Sequence, residues 1–133
     1  MKDGRTIARI VFLLYIAAVL YLCLGRFSDM SGMPLQVFGI DTDKLVHFLM
    51  FLPFPILFYM AFRVPTSKVW HSLVLTLCIL AIGCTVAAGT EIIQDFIPYR
   101  ESDIADFTAD FLAVCLSSAI VLAIDLNKTL RHA

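Results

Sequence analysis

Four long apolar runs constrain this chain more than any other feature of its sequence. A helix that crosses a bilayer needs roughly 20 mostly apolar residues, with a range of about 17–25. Runs of this kind occupy about residues 7–24, 45–62, 69–90 and 104–124. They predict an all-α, polytopic membrane protein built as a four-transmembrane-helix bundle, because a helix satisfies its own backbone inside a bilayer. We expect residues 1–133 to form a single domain.

The composition supports the membrane class. The chain is 60% hydrophobic and 16% charged, with a mean hydropathy of +0.88, whereas soluble domains have roughly 45–50% apolar and about 25% charged residues. A net charge of −1 offers no basic field, so no nucleic-acid partner is predicted. The four cysteines are isolated within apolar runs and lack metal-ligand spacing, so we predict that they form no disulfide framework and no metal site.

Two local signals refine the spans. Pro53 and Pro55 fall inside the second span, where they should kink the helix or open a turn. Gly83 and Ala87 lie four residues apart in the third span. Small residues at this spacing form a face that lets a neighbouring helix approach closely.

The basic residues predict the orientation in the membrane. Seven of the ten lie at the amino end, in the 63–68 connector or in the tail that follows the last span: Lys2, Arg5, Arg9, Arg63, Lys68, Lys128 and Arg131. The positive-inside rule then puts both termini in the cytoplasm. We therefore expect a multi-pass protein of the cytoplasmic (inner) membrane, with the lipid bilayer as its surroundings. The other two connectors, which hold the polar motifs, would face the external or periplasmic side.

Polar residues cluster at three span ends on that side. Within each helical segment they share a face, at spacings of three, four or seven residues, and Arg100 lies in the connector between the last two spans. We predict that they line one ligand-binding pocket: Asp43, Lys44, His47, Glu91, Gln94, Arg100, Asp103, Asp106 and Asp110.

Some of these residues also suit ordinary structural roles. Asp43 and Asp103 are placed to act as helix N-caps, and Lys44 can snorkel to the interface. Glu91 is harder to explain, because a carboxylate at a helix C-terminus is opposed by the helix dipole and needs a partner. Asp110 also needs one, since it lies beyond the capping turn and inside an apolar span.

Several spaced motifs resemble those of one family. They occur in order as Asp43-Lys44-x-x-His47-Phe48, Glu91-x-x-Gln94, Pro98-Tyr99-Arg100 and Asp106-x-x-Ala109. This pattern resembles the VanZ-like membrane proteins, named for an accessory teicoplanin-resistance protein. The chain departs from it at Asp110, where the family usually has Asn, and at Ala113, where it usually has Gly. The resemblance implies a small bacterial membrane protein of the cell envelope. The family name points to glycopeptide susceptibility, but most members occur outside resistance clusters, so antibiotic resistance does not follow.

Two hypotheses remain open. In the first, the external pocket binds an anionic lipid-linked precursor or lipid headgroup of the envelope, with Lys44 and Arg100 gripping phosphate. His47, Glu91 and Asp106 are then the candidates for acid/base catalysis or, with a divalent cation, for ligands. Whether the protein is an enzyme and whether it uses a cofactor are both left open.

In the second hypothesis, the polar cluster is a structural clasp in a non-catalytic module that acts through a membrane protein partner. Glu91–Arg100 and Lys44–Asp106 pairs would then lock the helix ends together. The oligomeric state is left open by both hypotheses.

Overall fold

The described part of the chain is mostly helical, with a small β-ladder in one connector. The structure, a computed structural model, describes residues 2–24, 36–37, 39–98 and 104–132. The helices are α1 (Lys2–Leu24), α2 (Thr42–Phe51), α3 (Phe54–Ala61), α4 (Val69–Asp95) and α5 (Ile104–Arg131). The two-residue strands β1 (Gln36–Val37) and β2 (Ile40–Asp41) pair antiparallel.

The predicted four-span architecture is confirmed. In the part of the chain that the structure describes, four segments are long and apolar enough to cross a membrane. They are α1, α4, α5 and the segment Lys44–Ala61, in which α2 and α3 follow one another. Large apolar side chains such as Leu14, Leu77 and Leu116 are exposed on the outside of the bundle, where a bilayer would cover them.

The prolines break the second span as expected. Helix α2 ends at Phe51 and α3 begins at Phe54, with a turn between them. Pro53 and Pro55 have no backbone N–H to donate, so the helical hydrogen-bond ladder cannot continue through them. At this break the Tyr15 hydroxyl of α1 donates a hydrogen bond to the Met50 carbonyl. A neighbouring helix thus satisfies a carbonyl at the discontinuity.

Helix α5 lies at the centre of the packing, in contact with α2, α3 and α4. Its approach to α4 depends on Gly83, as the small-residue face predicted. A Cβ atom added at Gly83 would lie 2.7 Å from Val114 Cγ1 of α5 and 3.3 Å from the Phe54 ring of α3. Ala87, one turn later on α4, is fully buried.

Helix α1 is held against α3 by aromatic and polar contacts. The Phe12 ring centroid lies 5.6–5.8 Å from the ring centroids of Phe54 and Phe58 in α3 and of Phe62, the residue that follows α3. Arg9 Nε donates a hydrogen bond to the Ala61 carbonyl, at 3.2 Å. These contacts fix the start of α1 beside the end of α3.

The last helix is longer than predicted. The fourth span was expected to end near residue 124, with a polar tail beginning at Asp125, yet α5 continues to Arg131. Asp125 and Thr129 are buried, because they lie four residues apart on the same inner face as Val121. Their polar groups meet hydroxyl partners inside the bundle, so the packed face extends for two more turns.

Candidate functional site

The candidate site lies where three helix ends meet. His47 comes from the second turn of α2, Glu91 from the end of α4, and Asp106 and Asp110 from the first turns of α5. The four-residue spacing puts the two aspartates on one face of α5. All four residues are buried, with exposed fractions of 5%, 8%, 4% and 0% respectively. We call these four residues the His47 cluster.

Both ring nitrogens of His47 face carboxylates of α5. Nδ1 lies 3.2 Å from Asp110 Oδ1, within hydrogen-bond range, and Nε2 lies 3.7 Å from Asp106 Oδ2. In the neutral tautomer that donates Nδ1–H to Asp110, Nε2 keeps its lone pair and points toward Asp106. That nitrogen is then available as a base or as a metal ligand. In the imidazolium form, both N–H groups face a carboxylate.

Three members of the cluster have the geometry of a cation site. His47, Glu91 and Asp106 each offer one ligand atom, and these atoms lie within 4.8 Å of one another. A set of one imidazole nitrogen and two carboxylate oxygens suits divalent cations such as Zn²⁺ or Mn²⁺. Asp110 holds the opposite nitrogen of the imidazole, as carboxylates often do behind a metal-bound histidine. The sequence indicated these three residues as candidate cation ligands, but spacing alone could not show that they meet, because they come from three different helices.

The same three residues are the predicted catalytic candidates, so the fold does bring them together. Gln94, also buried, uses its amide nitrogen to donate to the Cys23 carbonyl at 2.7 Å, which ties the end of α4 to the end of α1. Lys44 is half-buried one turn before His47.

Three other predicted site residues cannot be placed in this geometry. Arg100 and Asp103 lie outside the described residues, as does the side chain of Asp43. The Glu91–Arg100 pair therefore stays a prediction. The Lys44–Asp106 pair stays a prediction too.

Sequence reasoning missed a second polar network, at the other end of the bundle. Tyr59 donates its hydroxyl to Asp125 Oδ1 at 2.7 Å, and Thr66 donates to Asp125 Oδ2 at 2.8 Å. Thr129 lies 3.0 Å from the Thr66 hydroxyl and 3.2 Å from that of Ser72. The signal was present in the four-residue spacing of Asp125 and Thr129, which continues the inner face of α5.

Comparison with known protein families gives a match. The family model described as VanZ/LLP1 matches residues 12–125, a stretch that includes the whole His47 cluster. No curated protein and no solved structure matches the chain.

Proposed function

Because the chain belongs to the VanZ/LLP1 family of membrane proteins, we propose that its His47 cluster forms a site for an anionic lipid-linked precursor or lipid headgroup of the bacterial envelope. The observation that carries this proposal is the burial of three carboxylates and one imidazole where three helices end. Ionisable groups buried within a membrane protein are costly, and they commonly mark a site for a ligand or an ion.

The charge of the cluster restricts how an anion can bind there. Glu91, Asp106 and Asp110 would repel a phosphate group unless positive charge lies between them and the ligand. A divalent cation held by His47, Glu91 and Asp106 provides such a bridge, because it can bind carboxylate and phosphate oxygens together. In the sequence, Lys44 lies three residues before His47 and Arg100 lies six residues before Asp106, so both can supply further positive charge to the ligand. Ligand binding should therefore depend on a divalent cation.

The site is expected on the external face of the membrane, as the distribution of basic residues predicts. An external headgroup site would act on envelope lipids, and this is how the protein would influence glycopeptide susceptibility. If the protein affects glycopeptide susceptibility through this site, a His47→Gln copy should fail to restore the teicoplanin susceptibility of a strain that lacks the protein. Restoration by that copy would separate the phenotype from the cluster.

The direct test is the melting temperature of the detergent-purified protein with anionic envelope lipids, with and without Mg²⁺, Mn²⁺ or Zn²⁺. A ligand that binds only the folded state raises the melting temperature by mass action. We expect a rise that needs both lipid and cation, is lost in Glu91→Gln and is kept in Asp95→Asn. Asp95 is a matched control because it is an exposed acid one turn further along the same helix.

A structural clasp is the second candidate, favoured by the His47 contacts that join α2 to α5. If the cluster serves only packing, His47→Gln and Glu91→Gln should melt well below the wild type, and no lipid or cation should raise the wild-type melting temperature. That result would replace the binding proposal with the clasp.

A further inference from the structure

A cavity opens at the end of the bundle opposite the His47 cluster. Asp106 and Asp125 mark the two ends of α5 and lie about 28 Å apart along it, at 1.5 Å per residue. Around Asp125, an open cavity of about 700 Å³ is lined by the start of α1, the end of α3, the 62–68 connector and the end of α5. Its polar lining includes Arg5, Tyr59, Arg63, Asp125, Lys128 and His132.

The wall of this cavity is built by the hydroxyl network. Asp125 is only 3% exposed, and both of its oxygens accept a hydrogen bond, one from Tyr59 and one from Thr66. Lys128 Nζ lies 5.4 Å from the centroid of the Tyr59 ring, within cation–π range. The network thus joins α3, the connector and α5, and its carboxylate is already engaged by hydroxyl donors.

The cations that line the cavity exceed its negative charge. Arg5, Arg63 and Lys128 contribute three positive charges, against the single carboxylate of Asp125. Both arginines are exposed, so their guanidinium groups can reach an incoming ligand. Arginine binds phosphate oxygens in pairs, and basic pockets between membrane helices are typical sites for anionic headgroups.

We propose that this cavity is a second binding site, for a phosphate-bearing anion, at the membrane face opposite the His47 cluster. Arg5 and Arg63 grip the phosphate and Lys128 adds charge from the wall. The site stands on its own residues and does not depend on the function proposed for the His47 cluster.

Basic residues at one membrane face also arise from topology alone, and the chain supplies a control for that explanation. Lys68 lies in the same connector as Arg63, and Arg131 lies at the same end of α5 as Lys128. Both are exposed and basic, but they do not line the cavity. We therefore compare two double variants, the cavity pair (Arg5→Gln with Arg63→Gln) and the control pair (Lys68→Gln with Arg131→Gln). Each removes two positive charges from the same end of the bundle. All four side chains are exposed, so neither pair should disturb the fold.

The experiment measures binding to the purified full chain in neutral detergent, with two probes. One is phosphatidylglycerol in mixed micelles and the other is inorganic phosphate, each at several salt concentrations. We expect the cavity pair to lose about tenfold or more in apparent affinity, since charge-assisted hydrogen bonds are removed, and the control pair to lose less than about twofold. Binding of phosphatidylglycerol alone identifies a lipid headgroup, and binding of phosphate identifies a soluble phosphate compound.

Equal losses in the two pairs would show general attraction to a basic face and would overturn the proposal. If neither probe binds the wild-type protein, the proposal is overturned as well. A melting temperature measured for each variant without ligand confirms that the comparison is made between folded proteins.

Discussion

Gly83→Ala tests the close approach of α4 and α5 that brings Glu91 beside Asp106. The new methyl group would lie 2.7 Å from Val114 Cγ1, a distance that real Cβ contacts essentially never show. Val114 cannot easily move aside, because a β-branched side chain in a helix has one strongly preferred rotamer. The Phe54 ring, at 3.3 Å, closes a second direction of escape. The helices must therefore separate or strain.

The expected magnitude follows from two opposing effects. Overpacking of one methyl group costs about 1–3 kcal/mol, while replacing Gly by Ala in a helix gains up to about 1 kcal/mol. Gly89→Ala is the matched control, because it lies in the same helix and its new Cβ would meet nothing within 4 Å. The helix-propensity gain is common to both variants. Their difference in free energy of unfolding should therefore be about 1–3 kcal/mol, with Gly83→Ala the less stable.

Reversible unfolding in mixed detergent, followed by circular dichroism, measures this difference. A double-mutant cycle with Val114→Ala adds a sharper criterion, since removal of the obstructing methyl groups should relieve the clash. We expect a favourable coupling of about 0.5–3 kcal/mol between the two substitutions. Equal stability of Gly83→Ala and Gly89→Ala, together with no coupling to Val114→Ala, would refute the packing of α4 on α5 described above.

Three further predictions concern the two ends of the bundle. Tyr59→Phe should lower the free energy of unfolding by about 1.5–3 kcal/mol, because it removes a hydroxyl bonded to a buried carboxylate; a change below about 0.5 kcal/mol would contradict this value. Gln94→Leu should loosen the end of α1 and speed labelling of the buried Cys23 by a thiol reagent, with the other cysteines replaced by serine. Unchanged labelling would show that the amide does not hold α1. A fluorescent protein fused after Ala133 should fluoresce in the cytoplasm, and a dark but full-length fusion would reverse the predicted orientation.

The sequence was sufficient to predict the spans, because hydropathy and length are properties of the chain alone. The break at Pro53 was predicted for a similar reason, since proline lacks a backbone donor in any setting. The position at which α5 ends was not predicted from the sequence. Asp125 and Thr129 look like a solvated tail unless hydroxyl partners are available, and those partners come from distant segments, at Tyr59 and Thr66.

The candidate site was predicted by residue but not by contact. Glu91 and Asp110 were singled out because neither position offers a carboxylate a local partner. The sequence suggested Glu91–Arg100 and Lys44–Asp106 pairs, which stay predictions, and it did not indicate the contacts of His47 with Asp106 and Asp110 that the structure shows. Spacing along a helix determines which residues share a face. It does not determine how that helix is rotated or how deep it sits against its neighbours.

Polar contacts at both ends of α5 determine how this helix is rotated and how deep it sits against its neighbours. Lipid tails are as apolar as leucine, so apolar contacts alone leave the position of a membrane helix weakly determined. At one end Asp110 meets His47, and at the other Asp125 meets Tyr59 and Thr66. A shift of α5 by one residue would rotate these carboxylates by about 100° and break both sets of contacts together. The two polar ends therefore hold one helix in a single register, and this fixes Asp106 opposite Glu91.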